Sequence, residues 1–228
     1  MTSFSLQGRN AVVTGAAHGL GRAIALKLAE AGANVALTYR TREAEAHDVA
    51  REIEAKGRLA IALKMDVADR GSIEAAAKEA RDALGPLSVL VNNAGMNASA
   101  GASDWQAALK GPLACAEVFL PLLAEPGNGA IVHVGCAGVH AGLNALSQAI
   151  ARSGAKTGVR SNVVLAGLIQ LDVTDALSAA LPQNGAEKIL LKRLGDPDEV
   201  ADAVVFLSSD ASSYITAETL NVNGGLAA

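Results

Sequence analysis

The stretch that decides the fold is TGAAHGLG, at residues 14–21. The apolar run Asn10–Thr14 leads into it and predicts a first strand. After it, Leu20, Ile24 and Leu28 recur at the spacing of a helix packed on a sheet. Glycines between a strand and a helix let the backbone approach a pyrophosphate, which the helix N-terminus also attracts. This order of features therefore predicts a dinucleotide-binding fold.

The rest of the chain continues the same alternation. Six further apolar runs predict strands: Asn34–Tyr39, Leu59–Met65, Leu87–Asn92, Ala130–Gly135, Ser161–Leu165 and Leu220–Val222. Strands separated by helical segments indicate βαβ units and a parallel sheet. We therefore predict an α/β fold, with one Rossmann-type doubly wound parallel sheet of about seven strands and helices on both faces. Residues 1–228 are expected to form a single domain of this kind.

Composition narrows the class of protein. The chain has 228 residues and a formal net charge of −4, and no basic stretch suggests nucleic acid as a partner. No apolar run reaches the roughly 18 residues of a membrane span, and the start of the chain lacks the pattern of a secretory signal. Two cysteines do not make a disulfide framework. A cytoplasmic protein without a membrane partner is expected.

Three further stretches carry a resemblance to a known family. They are VNNAG at residues 91–95, GVRSNVV at 158–164, and a C-terminal stretch from KRLGDPDEVA at 192–201 to NGG at 223–225. Together with TGxxxGxG, they resemble the short-chain dehydrogenase/reductase family over essentially the whole chain. The β-ketoacyl carrier-protein reductase branch is the most similar. The resemblance implies hydride transfer between a nicotinamide cofactor and a small carbonyl or alcohol substrate.

The resemblance also implies a set of cofactor-binding residues. Those expected at the pyrophosphate belong to the glycine turn: Gly15, His18, Gly19, Leu20 and Gly21. Those expected near the adenine and the ribose follow later strands: Asp66, Val67, Asn93, Ala94 and Gly95. Asp66 would accept a hydrogen bond from the adenine amino group, and Ile169 would meet the nicotinamide carboxamide through its backbone. The family usually has Pro-Gly where this chain has Ala166-Gly167.

The end of the second predicted strand bears on the choice of cofactor. An acidic residue there binds the ribose 2′-hydroxyl in NAD enzymes, but the residues from Thr38 to Arg42 include no carboxylate. Arg40 and Arg42 can instead make charge-assisted hydrogen bonds to a 2′-phosphate, and His18 adds a possible donor. We therefore favour NADP(H) over NAD(H). The alternative is that both arginines are ordinary solvated surface residues.

The catalytic half departs from the family pattern. Family chemistry uses a Tyr as proton donor, a Lys four residues later, a Ser that binds the substrate oxygen, and an Asn on the preceding helix. In this chain Cys136 stands where the Ser is expected, and Asn144 and Gln148 read as the Tyr and Lys positions. An Asn amide cannot donate a proton near neutral pH, and a neutral Gln cannot depress a neighbouring pKa by charge. The catalytic residues are therefore predicted to be degenerate.

Substitute groups and two functions stay open. Cys136 is either an inert thiol or a weak acid, and His140 is either a loop residue or a replacement acid. His133 is expected to be a structural core histidine, and no residues show metal-ligand spacing. Three segments on the substrate side look shortened, starting after Gly95, Cys136 and Gln148. The chain is then either an NADP(H)-dependent oxidoreductase with weakened chemistry or an inactive nucleotide-binding sensor or partner subunit, in a homo- or hetero-oligomer.

Overall fold

A computed structural model describes residues 4–95, 105–136, 140–170 and 185–226. Within these ranges seven strands form one sheet: β1 Asn10–Val13, β2 Asn34–Tyr39, β3 Ala60–Lys64, β4 Val89–Asn92, β5 Ala130–Gly135, β6 Arg160–Ala166 and β7 Thr219–Val222. All neighbouring strands are parallel, in the order β3-β2-β1-β4-β5-β6-β7. The predicted seven-stranded parallel sheet is confirmed, with strand ends that differ by one or two residues.

Six α-helices of the described ranges cover both faces of the sheet: α1 Gly19–Glu30, α2 Glu43–Ala55, α3 Arg70–Leu84, α4 Trp105–Ala124, α5 His140–Gly154 and α6 Pro197–Ser208. Helices α1, α2 and α6 contribute to the core cluster on one face, and α3, α4 and α5 to the clusters on the other. The doubly wound arrangement is therefore confirmed. No helix of the described ranges is both long enough and apolar enough to span a bilayer.

Local sequence explains where several of these helices begin. Asp196 accepts a hydrogen bond from the Asp198 N–H, and Glu199 reaches back to the Asp196 N–H at 2.7 Å, which completes a capping box before α6. Pro197 occupies the first helical position, where a missing N–H costs nothing. Asp69 caps α3 in the same way through the Gly71 N–H.

The sheet places the predicted site at one edge. Because all seven strands are parallel, their carboxyl ends lie along the same edge of the sheet. From β1 the sheet continues through β2 and β3 on one side and through β4 to β7 on the other, so the strand order reverses between β1 and β4. Open α/β sheets bind ligands at such a switch point. The glycine turn after β1 and residues 93–95 after β4 flank this switch point.

Candidate functional site

The glycine turn has a geometry that only glycine satisfies at three positions. Gly15 and Gly19 have φ angles of +66° and +55°, in the left-handed region. A Cβ atom on Gly21 would lie 2.3 Å from the Gly15 carbonyl oxygen and 2.5 Å from Asn93 Nδ2. The first turn of α1 therefore packs directly on the turn that precedes it. The result is a backbone cradle of the kind that receives a pyrophosphate.

Hydrogen bonds from the β4 side hold this cradle in place. Thr14 Oγ1 accepts from the backbone N–H groups of Asn93 and Ala94, at 3.0 and 2.9 Å. The Asn93 side-chain amide donates to the carbonyl oxygens of Thr14 and Gly15, at 3.0 and 3.1 Å. The side chain of Asn93 is thus used to brace the turn. Gly95, which the sequence also assigns to the ribose side, has a left-handed φ of +95°.

The β2 side brings basic residues to the same turn. The Ala16 N–H donates to the Thr38 carbonyl at 2.9 Å, and the Gly15 N–H donates to Thr38 Oγ1 at 3.3 Å. Arg40 and Arg42 follow directly and are exposed, as is His18 in the turn itself. Thr38 therefore ties the glycine turn to the end of β2, and Arg40 and Arg42 follow that end in the sequence.

Two carboxylates of α2, Glu43 and Glu52, lie close to side chains of neighbouring residues. Glu43, the first residue of α2, lies near the Tyr39 hydroxyl and 4.0 Å from His47 Nε2. Burial, followed by the Glu43 charge, raises the pKa of Tyr39. The Arg22 guanidinium donates from one nitrogen to both carboxylate oxygens of Glu52, at 2.8 and 2.7 Å.

The end of β3 forms the next part of the edge. One oxygen of Asp66 accepts from the Ala68 N–H at 2.9 Å, and the Asp66 N–H donates to Ser72 Oγ at 3.0 Å. The half-buried Asp66 carboxylate is therefore held in one orientation beside Val67. Helix α4 approaches Val67 closely, because a Cβ on Gly111 would lie 2.9 Å from Val67 Cγ2.

The ends of β5 and β6 supply the opposite side of the site. Cys136 directly follows β5 and is a half-buried free thiol. After β6, Ile169 makes a parallel bridge to Gly195, and a Cβ on Gly167 would lie 2.6 Å from Asn223 Cα. A cleft of about 170 Å³ opens here, with Ile169 and Asn223 among its lining residues.

The packing of α5 on β6 gives the position of Gln148 along the sheet. Ser147, the residue before it, contacts Ser161 at 3.0 Å near the start of β6, about 16 Å along the strand from its carboxyl end. Gln148 is therefore too deep along the sheet to reach a group bound at the edge. Its Nε2 instead donates to Asn144 Oδ1 at 3.3 Å, one helical turn nearer the edge. His140 is the first residue of α5, and its side chain lies outside the described residues.

A buried polar chain crosses the sheet below this edge. Asn92 Nδ2 lies 3.2 Å from His133 Nδ1, His133 Nε2 lies 3.3 Å from Ser161 Oγ, and Ser161 contacts Ser147 on α5. Asn92 Nδ2 also donates to the Pro112 carbonyl on α4 at 3.3 Å. Complete burial lowers the pKa of His133 to about 4, so the ring is neutral at neutral pH. The prediction of a structural core histidine is confirmed.

Sequence reasoning missed the residues that brace the site. Thr14, Thr38 and Gly111 hold the turn or α4 in place, although none was predicted to have a role. Thr14 lies inside the motif quoted for the fold, so its position was a signal. The sequence gave no signal for Gly111. A side chain is excluded there only because Val67, which is distant in the sequence, packs against it.

Comparison with known proteins decides the family. A family model described as enoyl-(acyl carrier protein) reductase matches residues 15–227. The 3-oxoacyl-acyl-carrier-protein reductase FabG of Staphylococcus aureus is 38% identical over 240 aligned positions, which cover 96% of this chain and 98% of that protein. The chain belongs to the short-chain dehydrogenase/reductase family. This family consists of oxidoreductases with a Rossmann fold, as the sequence motifs predicted.

Solved structures of the family superimpose over nearly the whole chain. A putative short-chain alcohol dehydrogenase of Sinorhizobium meliloti has a TM-score of 0.88 at 33% identity and covers 98% of each chain. A 7α-hydroxysteroid dehydrogenase in complex with NADH has a TM-score of 0.88 at 27% identity, covering 98% of this chain and 96% of that one. A blue fluorescent protein from a metagenomic library, in complex with NADPH, has a TM-score of 0.84 at 29% identity, covering 98% and 100%.

The alignment lengths show that the family member from Staphylococcus is longer within the shared region. Its 240 aligned positions exceed the 228 residues of this chain, so it has at least twelve residues that this chain lacks. This agrees with the prediction that segments of the chain are shortened.

Proposed function

We propose that the chain binds NADP(H) and transfers a hydride between the nicotinamide and a small carbonyl or alcohol substrate. The observation that carries the cofactor choice is the end of β2, where Thr38 holds the glycine turn and the exposed Arg40 and Arg42 follow within four residues. Charge-assisted bonds from these arginines favour a 2′-phosphate, whereas the acidic residue that binds a 2′-hydroxyl is missing. Because one structural neighbour holds NADH and another NADPH, the preference rests on these residues alone.

The edge of the sheet fits a dinucleotide along its length. Because Gly21 has no Cβ, α1 packs directly on the glycine turn, and the backbone N–H groups of the turn and of the helix start lie together where a pyrophosphate can approach them. The oriented Asp66 carboxylate provides an acceptor for an adenine amino group, and Ile169 stands at the other end of the site. The bound cofactor would supply the hydride, while the protein supplies binding and orientation.

The substrate side supports slow chemistry. The chain has two tyrosines: Tyr39 is buried at the end of β2, and Tyr214 is exposed ahead of β7. A tyrosine acid of the family type is thus missing from the ends of β5 and β6, where Cys136 lies. We propose that the Cys136 thiol donates a hydrogen bond to the substrate oxygen. A thiol is a weak donor, and loss of a positioned general acid costs about 10²–10⁴ in rate.

A second candidate is a nucleotide-binding protein without catalysis, acting as a sensor or a partner subunit. The contact between Gln148 and Asn144 favours it, because the two residues read as the catalytic pair bond to each other. The depth of Gln148 along β6 adds to this, since the residue read as the family Lys does not face the edge. In both candidates the cofactor half of the site is the same. The two free thiols of the chain fit a protein of the reducing cytoplasm under either candidate.

Turnover of NADPH separates the two candidates. The purified chain is incubated with NADPH and small ketones or β-keto thioesters, and separately with NADP+ and small alcohols, and absorbance reports oxidation or reduction of the cofactor. Turnover above the rate without protein, reduced in Cys136→Ala or His140→Ala, supports the first candidate. The variant His47→Ala, changed on the exposed side of α2, is the control and should match the parent. Tight NADPH binding without turnover on any substrate supports the second.

A further inference from the structure

We infer that Glu199 is a positioning residue for the nicotinamide end of the cofactor, on which it acts through Gly195 and the backbone of Ile169. The inference rests on the proposed function, in which the Ile169 backbone meets the nicotinamide carboxamide. It extends that function to the side chains that fix this backbone. Glu199 lies in the first turn of α6, and its part is to hold the loop that in turn holds Ile169.

One parallel bridge, between Ile169 and Gly195, joins the segment after β6 to the loop before α6. The Gly195 N–H donates to the Leu168 carbonyl at 2.9 Å, and the Gln170 N–H donates to the Gly195 carbonyl at 2.8 Å. Because successive residues of an extended segment direct their N–H and carbonyl groups to opposite sides, those of Ile169 itself point away from Gly195. A carboxamide carries both a donor and an acceptor, so it can pair with that N–H and that carbonyl together.

Strand β7 fixes the start of the same segment. The Gly167 N–H donates to the Val222 carbonyl at 2.9 Å, and a Cβ on Gly167 would lie 2.6 Å from Asn223 Cα. The start of the segment is therefore packed directly on the sheet. Its other end, at Ile169, is held by the bridge, so the direction of the Ile169 N–H and carbonyl depends on where Gly195 lies.

A single carboxylate grips the loop on both sides of Gly195. Glu199 accepts from Arg193 Nη1 and Nη2, at 2.8 and 2.7 Å, two residues before Gly195. Directly after Gly195, the Asp196 N–H donates to Glu199 Oε2 at 2.7 Å. Arg193 Nη1 also donates to the Leu194 carbonyl at 3.1 Å. Because paired hydrogen bonds between a guanidinium and a carboxylate fix the orientation of both groups, the position of Gly195 follows that of Glu199 on α6.

The Arg193–Glu199 pair can be broken without loss of the fold. The side chains of Arg193 and Glu199 are 54% and 42% exposed, and exposed ion pairs contribute little to stability. Hydrogen bonds from Arg193 and from the Asp196 N–H lower the pKa of Glu199 to about 2, so its carboxylate is charged at pH 7. A glutamine at this position keeps an oxygen for the Asp196 N–H, as in other capping boxes, but lacks the charge that binds the guanidinium.

The test compares each dinucleotide with the fragment that lacks nicotinamide, by calorimetry on the full chain at pH 7. NADPH is paired with 2′-phospho-ADP-ribose, and NADH with ADP-ribose. Glu199→Gln and Arg193→Ala should each weaken binding of the dinucleotide about fivefold, as for the loss of one hydrogen bond, and leave binding of the fragment unchanged. The double variant should lose no more than either single variant, because both residues act through one pair.

Arg81→Ala is the matched control. It removes another exposed ion pair, with Glu125 at 2.7 Å, from the last turn of α3, and it should retain the parental affinity for all four ligands. Equal urea midpoints for the parent chain and Glu199→Gln establish that a loss of affinity is not a loss of fold.

Three outcomes overturn the inference, and they differ in what else they affect. If a dinucleotide binds more tightly than its fragment but the variants weaken neither ligand, or both alike, Glu199 has no positioning role and the proposed function stands. If dinucleotide and fragment bind equally to the parent chain, the contact between Ile169 and the nicotinamide is wrong as well. If neither dinucleotide binds, the proposed function fails together with the inference.

Discussion

Gly21→Ala tests whether the packing of α1 on the glycine turn builds the nucleotide site. The new Cβ would lie 2.3 Å from the Gly15 oxygen, and real Cβ atoms essentially never come closer than 3.0 Å to another heavy atom. One partner must therefore retreat by about 0.7 Å. The same Cβ meets Asn93 Nδ2 at 2.5 Å, so the hydrogen bond between Asn93 and Gly15 is lost as well.

These effects sum to a measurable loss. Overpacking costs about 1–3 kcal/mol and each lost hydrogen bond about 1 kcal/mol, while alanine in a helix regains about 1 kcal/mol. We expect the free energy of unfolding in urea to fall by about 1–3 kcal/mol and the NADPH affinity to fall at least tenfold. Gly71→Ala is the control, because its Cβ would meet only Asp69 Oδ1, at an ordinary 3.5 Å. A Gly21→Ala protein as stable as Gly71→Ala, with parental NADPH affinity, would refute the reasoning.

Three further predictions concern stability. The pKa of His133 is about 4 in the folded chain and near 6.5 when unfolded, so the unfolded state binds the extra proton. Stability should therefore fall by about 3 kcal/mol from pH 7 to pH 4, and His133→Gln should flatten this part of the urea-unfolding profile. Asn93→Ala should cost about 1–3 kcal/mol, because the Thr14 and Gly15 carbonyls lose their donor; an unchanged urea midpoint would contradict this. Asp196→Ala should cost about 1 kcal/mol through loss of the α6 cap. Asp202→Ala, which removes only an exposed ion pair with Lys27, should cost less than half as much.

Much of the fold and of the cofactor side could be predicted from sequence, because both depend on local patterns. The strand, glycine turn and helix around residues 14–21 have the predicted order, and we propose that a pyrophosphate binds at this turn. Parallel strands then bring Asp66, Asn93 and Ile169 to the same edge without any knowledge of their contacts. Arg40 and Arg42 follow from the same reasoning, since they directly succeed β2.

Positions that depend on tertiary packing could not be predicted in this way. The depth of Gln148 is set by the contact of Ser147 with Ser161, which lies 14 residues away in sequence. Spacing along the sequence does not give this depth, because it depends on how α5 packs on β6. The polar chain through His133 was equally hidden, because its partners lie 28 and 41 residues away in sequence.

The most direct test of the account is a calorimetric titration of the purified chain with NADPH and with NADH at pH 7. Arg40→Ala and Arg42→Ala serve as variants, and Arg51→Ala, on the exposed side of α2, serves as the control. The account predicts micromolar binding of NADPH, much weaker binding of NADH, and a loss of that difference when the arginines after β2 are removed. Equal affinities for the two cofactors, or no binding of either, would contradict it.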